Sequence, residues 1–293
     1  MTNKWLKVAL MVTAIATGTS IKIDAETVLY VPQDDRPVSL QYTVDTAREA
    51  GMTVLTPPQD LISGKTYQGQ ADQIMAWVEQ NAGRADVMVL STDTLIYGGL
   101  VDSRKHNIPL STLQNRLKRI EGLKARNKNV RIYGFGTVMR SPRASGGGTE
   151  PAYYAEYGPT IFQIAALQDK LDSGSLTQEE TQKMMSLQAS VPVEYLQDWF
   201  DRRQKNMKIN KELIDETRSG VFDYFALGHD DTSQLSQSAL EGRYLNKYSK
   251  DISVEKYGSF PGADQLGLLL MARSRTDMST EKPTFSVIYP LGG

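Results

Sequence analysis

The sequence has no cysteine and only two histidines. The first absence removes disulfides and thiolate metal sites, so an exported form of the chain would draw its stability from its core alone. An excess of one charge is missing as well. Lys and Arg number 33 against 34 Asp and Glu, a formal net charge of -1. That leaves no basic field to attract nucleic acid or an anionic membrane. Two fingerprints are also lacking. No strand–GxGxxG–helix pattern is present to cradle a dinucleotide, and the serine of "LSTD" does not sit in a GxSxG elbow.

What remains is 293 residues, 40% hydrophobic and 23% charged, the composition of an ordinary folded domain. The N-terminus stands apart. Lys4 and Lys7 lead into "VALMVTAIATGTS", too short and too interrupted to span a bilayer. A basic start, an apolar middle and small residues beyond describe a secretory signal peptide over residues 1–25, cut after Ala25. An uncleaved N-terminal anchor is the alternative. The mature chain is then expected to work outside the cytoplasm, extracellular or periplasmic, with no membrane span of its own.

Beyond it, β-rich apolar runs recur at 27–32, 52–58, 85–91, 129–138, 221–228 and 284–290, with a weaker one at 251–258. Helical spacing fills the intervals 39–50, 69–82 and 111–127; Ile74, Trp77 and Val78, for example, share one face. Alternating strand and helix means βαβ units and a parallel sheet covered on both faces. The expected fold is α/β, parallel βα repeats, TIM-barrel-like and possibly incomplete; an open doubly wound sheet is the alternative. Residues 144–220 break the rhythm with "ASGGGTEP" and then helical sequence at 158–172, 177–189 and 192–218, where Thr177 and Glu180 form a capping box. The expectation is one α/β domain over 26–293 with a helical insertion at about 144–220 roofing the sheet.

In either parallel fold the site lies at the C-terminal ends of the strands. Those ends are polar here. The first strand runs into Asp34, Asp35 and Arg36, the third into Asp93, Tyr97, Asp102 and Arg104, the fourth into Arg140 and Arg143. The fifth runs into His229, Asp230 and Asp231, and a later loop holds Asp264. Each residue has a plainer explanation: Asp264 as an N-cap, Asp35 and Arg36 as a surface pair, His229 as a structural histidine, the glycines of "IYGGL" as a tight turn. His106, in "RKHNIP", reads as solvated. Arg203, Asn206 and Asn210 share one helix face, either simply solvated or reaching toward a ligand. The case for a site is coincidence: charges from separate strands must pair or face a wet cleft, because burying them alone is prohibitive.

Taken together, "YVPQDDRPVSL", "STDTLIYGGLVDSR", "GTVMRSPR", "RRQKNMKIN", "LGHDD" and "PGADQLGLLLMAR" resemble an exported bacterial family known as domain of unknown function 4127. The resemblance runs from about Tyr30 to the C-terminus; Gln33 departs from the apolar residue more usual there. Family members are longer, which implies a chain cut short at its C-terminus. The resemblance implies a shared site and names no reaction.

The leading expectation is a secreted carbohydrate hydrolase, a glycosidase with paired carboxylates. Such chemistry needs two carboxyl groups roughly 5–5.5 Å apart for retention or 6.5–9.5 Å for inversion. Asp93 with Asp230 or Asp231 are the catalytic candidates. Asp34, Asp35, Arg36, Tyr97, Arg104, Arg140, Arg143, Asn206, His229 and Asp264 are the candidates for substrate binding, the arginines suiting an acidic or acetylated sugar. No cofactor is called for. One alternative is a divalent-metal hydrolase using Asp34, Asp35, His229, Asp230 and Asp231; another is a non-catalytic binder of sugars or cell-wall fragments.

Overall fold

A computed structural model describes residues 26–279 together with 284 and 286. The signal-peptide stretch and most of the expected strand at 284–290 lie outside the described residues.

The apolar runs become six parallel strands: β1 (Thr27–Val31), β2 (Thr53–Leu55), β3 (Val87–Ser91), β4 (Arg131–Val138), β5 (Tyr224–His229) and β6 (Tyr257–Pro261). The weak run at 251–258 supplies β6, whose residues start only at its end. Helices fill the expected intervals as α1 (Gln41–Glu49), α2 (Ala71–Asn81) and, after the short α3 (Thr92–Tyr97) and α4 (Leu100–Lys105) that fall outside them, α5 (Leu110–Arg126). After β4 come α6 (Tyr154–Asp172), α7 (Gln178–Ala189) and α8 (Val193–Ser219), and after β5 and β6 come α9 (Gln237–Tyr248) and α10 (Leu266–Met278).

The strand order is β2-β1-β3-β4-β5-β6. Among the described residues the sheet is not closed, and β1 lies between β2 and β3, so the winding direction reverses there. That is the order of an open doubly wound sheet, with a crevice at the reversal. Both faces are covered, as near-continuous apolar strands require. Val28, Tyr30, Val87, Val89, Tyr133 and Phe135 pack with α1 and α10. On the other face Leu29, Met88, Leu90, Ile132 and Phe225 meet Ile74 and Val78 of α2, Leu117 of α5 and Leu213 of α8.

The segment 144–220 divides its labour. The C-terminal half of α8, through Ile209, Leu213 and Ile214, covers the sheet. Its N-terminal half joins α6 and α7 in a small separate cluster around Trp199, Tyr154 and Ile161. The capping box at α7 forms as expected, Thr177 Oγ1 accepting from Glu180 N and Glu180 Oε2 from Thr177 N, both at 3.1 Å. Helix α6 begins earlier than its proline suggests. Pro159 reads as a helix start but sits inside the helix, because the turn before it is fixed by Tyr154, whose ring lies 4.5 Å from that of Trp199.

Among the described residues, no helix is long and apolar enough to cross a membrane.

Candidate functional site

Strand β1 ends at Val31 because Pro32 offers no N–H to a sheet ladder. Its carbonyl is taken by Thr94 Oγ1 at 2.6 Å, which ties the first strand's tip to the third's. The chain then turns so that Asp34 Oδ1 accepts from Arg36 N at 3.2 Å and Asp34 Oδ2 from Arg36 Nε at 2.7 Å. The same guanidinium reaches the loop after β6, donating to Asp264 Oδ1 at 2.7 Å. One arginine thus clasps carboxylates 230 positions apart in sequence at their extremes.

These groups line a cleft of about 320 Å³. Asp34, Arg36, Lys65, Arg104, Arg140, Asp230 and Asp264 furnish its charge, and Leu100, Gly146 and Thr149 much of its remaining wall. Arg104, on α4, forms an ion pair with Asp230 from the tip of β5. Burial disfavours the charged form of Arg104 and neighbouring Arg140 opposes it further, while Asp230 favours it; the balance lowers its pKa. Arg140, after β4, donates to Glu150 Oε1 at 2.7 Å through Nε and to Thr149 Oγ1 at 2.7 Å. Glu150 also accepts from Gly146 N at 2.7 Å. A single buried carboxylate therefore folds the glycine-rich loop against the cleft. Burial pushes its pKa up, but that amide and Arg140 outweigh the effect and hold it below the ordinary value.

Asp93 lies beneath, not in, the cleft wall. Helix α3 starts immediately after β3, capped by Ser91 Oγ accepting from Thr94 N at 3.2 Å, and this carries Asp93 inward. It is 2% exposed. Thr137 Oγ1 and Gln33 Nε2 donate to its Oδ2 at 2.7 and 3.2 Å. Burial raises its pKa to about 6 against these donors, with a further push from Asp230. Asp93 and Asp230 therefore feel each other although only the second lines the cleft.

The remaining candidates are dispersed. Asp35 accepts from the Tyr67 hydroxyl. Tyr97 is buried and stacked on His106, with centroids 4.9 Å apart. Arg143 lies over the Phe162 ring. His229 and Asp231 line a neighbouring groove, where Asp231 Oδ1 accepts from Ser233 N at 2.9 Å. Asn206 is neither solvated nor aimed at a ligand. It donates to Ser103 O at 2.8 Å, and its Oδ1 stands 2.8 Å from His106 Nε2. Asn210 donates to Thr137 O at 3.2 Å. His106, expected in solvent, is buried and held neutral, its pKa lowered to about 4 chiefly by desolvation. The glycines of "IYGGL" do form a turn: Gly98 ends α3 at φ 112°.

The metal-ligand set does not gather. Asp34 and Asp230 are in the cleft, Asp35 is on Tyr67, and His229 and Asp231 are in the groove. Among the described residues, no group of three or more His, Asp or Glu could hold a metal ion.

Two residues at the cleft are unmarked by the sequence motifs. Lys65 belongs to the loop after β2, a strand tip like the others, and the same rule applied there reaches it. Glu150 follows a flexible-looking stretch, and nothing local marks it as Arg140's partner. Arg203, expected like Asn206 to be solvated or to reach a ligand, instead spans two elements, donating to Met139 O and Arg140 O at 2.7 and 2.9 Å and to both Glu241 oxygens at 2.8 Å.

A family model described as a protein of unknown function (DUF4127) matches residues 28–293. No curated protein and no solved structure matches the chain.

Proposed function

The chain belongs to the DUF4127 family, and from its own geometry we propose that it is a secreted hydrolase acting on carbohydrate, with the cleft as the glycan site. One observation carries this: guanidinium and carboxylate groups from five strand tips meet around one small cleft, three of the carboxylates paired with arginines. Fixed donors and acceptors side by side suit vicinal hydroxyls, each of which both donates and accepts.

The acid–base work falls to Asp230 and Asp93. Asp230 stands in the cleft beside Arg104 and is the carboxylate that meets substrate. Asp93, with its pKa near 6, is the group able to keep a proton near neutrality. Two carboxyl groups in contrasting surroundings are the usual division of labour in glycoside hydrolysis. Thr137 and Gln33 hold Asp93 Oδ2, so a role on substrate requires that grip to open. Arg36, Asp34 and Asp264 position the sugar.

The test is turnover of a glycan library by the wild type and by Asp230→Asn and Asp93→Asn. Removing a positioned acid or base typically costs about 10²–10⁴-fold in rate. Hydrolysis unchanged in both variants, on every glycan the wild type cleaves, sinks the proposal. Export is checked on the same material: protein recovered outside the cytoplasm should begin at Glu26, and an intact Met1 there would argue for an anchor.

One observation favours a second reading, a binder without chemistry. Every carboxylate lining the cleft already holds an arginine, and Asp93 is sealed. Glycan binding with no product formed, unchanged in kind by the Asp→Asn variants, selects it.

A further inference from the structure

The tip of β5 serves two depressions. Asp230 faces the cleft, whereas His229 and Asp231 line a separate groove of about 290 Å³. Within that groove His229 Nε2 lies 2.7 Å from Ser259 Oγ. The strand register creates the pairing. Ser259 of β6 is level with Leu227 of β5, and His229, two residues on, projects from the same face.

His229 is fixed at main chain and ring. Its backbone carbonyl accepts from Gly262 N at 2.8 Å, and the imidazole is packed. Its far edge rests on bare backbone of α9: a Cβ on Gly242 would stand 2.5 Å from His229 Cε1 and 2.9 Å from Nδ1. Burial lowers its pKa, so it is a neutral base at neutral pH. Nearby, Asp231 Oδ2 is buried without a hydrogen-bond partner, and the Asn246 amide lines the groove. A hydroxyl within hydrogen-bond reach of a fixed neutral imidazole is the arrangement that makes serine nucleophilic.

We propose that Ser259 and His229 form a second reactive centre, an acyl-transfer site for carboxylic esters. Ser259 Oγ bonds to the ester carbonyl carbon as its proton passes to His229 Nε2. The carbon–oxygen bond to the alcohol then breaks, and the alcohol leaves with that proton. Water, giving a proton to His229, then bonds to the acyl carbon; the bond to Ser259 Oγ breaks, that oxygen takes the proton back from His229, and the carboxylic acid is released. The Asn246 amide is the side-chain donor available to the carbonyl oxygen as its charge develops.

The experiment is labelling of the full chain with a fluorophosphonate probe, with the adduct located by mass spectrometry. An adduct on Ser259 is expected, absent in Ser259→Ala and formed at least about 100-fold more slowly in His229→Gln. Wild-type labelling should rise with pH through a midpoint below about 6.5, the ordinary histidine value. This profile serves as the criterion if His229→Gln does not fold. No adduct on Ser259, a flat pH profile, or labelling indifferent to a folded His229→Gln overturns the proposal and leaves Ser259 as a partner that merely satisfies a buried ring. No glycan is involved, so failure here leaves the cleft proposal untouched, and failure of glycan turnover leaves this one untouched.

Discussion

Glycine 136 shows how little room the site leaves. It lies in β4 beside the start of α3, and a Cβ there would overlap Thr92 Oγ1 and come within 3.8 Å of Asp93 Oδ1. Thr92 is not free to retreat, because its hydroxyl donates to Phe135 O at 3.0 Å. Gly136→Ala is therefore expected to destabilise the fold by about 1–2 kcal/mol: overpacking costs about 1–3 kcal/mol, partly offset by the lower entropy of the unfolded alanine chain. A drop in the urea midpoint checks it, and an unchanged midpoint would show that α3 can shift. Single residues were legible in the sequence only where a charge had nowhere else to go. Asp34, Arg36 and Asp230 follow their strands into open loops and reach the cleft. Asp93 follows its strand just as closely, yet the immediate start of α3 turns it under the floor. Whether a helix begins one residue or five after a strand is a capping detail that spacing does not announce.

Helix α8 explains most of what went unread at the level of elements. Its stripe of Arg203, Asn206 and Asn210 shows up in the sequence as three polar residues on one face. Its meaning emerges only from the partners: Met139 O and Arg140 O past the end of β4, Ser103 O on α4 and Thr137 O on β4. These side chains bolt the helix to the tips that carry Arg104 and Arg140. Strand positions and the parallel order of the sheet could be anticipated from apolar runs. The reversal at β1 could not, because it depends on which face each crossover helix takes. Arg203→Met should test the bolt. It leaves Glu241 buried without its cation, and breaking a buried pair costs about 3–5 kcal/mol. Stability should fall by that order in urea unfolding. If the bolt also orients Arg140, affinity for any cleft ligand should fall in protein that remains folded. A loss of less than about 1 kcal/mol would mean the guanidinium is replaceable by packing.

Over the whole molecule, two buried groups that titrate with opposite slopes both act on one ring. Tyr97 stacks on His106 and feels the charge of Asp93. Asp93 has a folded pKa of about 6 against 3.8 when unfolded. Between those values the folded state keeps a proton that the unfolded state has lost, so stability from this group is full below about pH 4 and lost as pH rises toward 6. His106 is the reverse. Its folded pKa of about 4 lies below 6.5, so its contribution is present above about pH 6.5 and lost as pH falls toward 4. Each shift corresponds to about 3 kcal/mol, and in the shared window the two largely cancel. Wild-type stability should owe little net slope to this pair between pH 4 and 6.5, and single variants should uncover it. Relative to wild type, Asp93→Asn should gain about 3 kcal/mol on going from pH 4 to 6.5, and His106→Gln should lose about as much. Urea unfolding of the three proteins at both pH values measures this directly. Parallel lines for all three would mean that neither group is as dry as its packing indicates. A sheet edge that buries an acid and a base around one tyrosine would then have to be hydrated from the cleft.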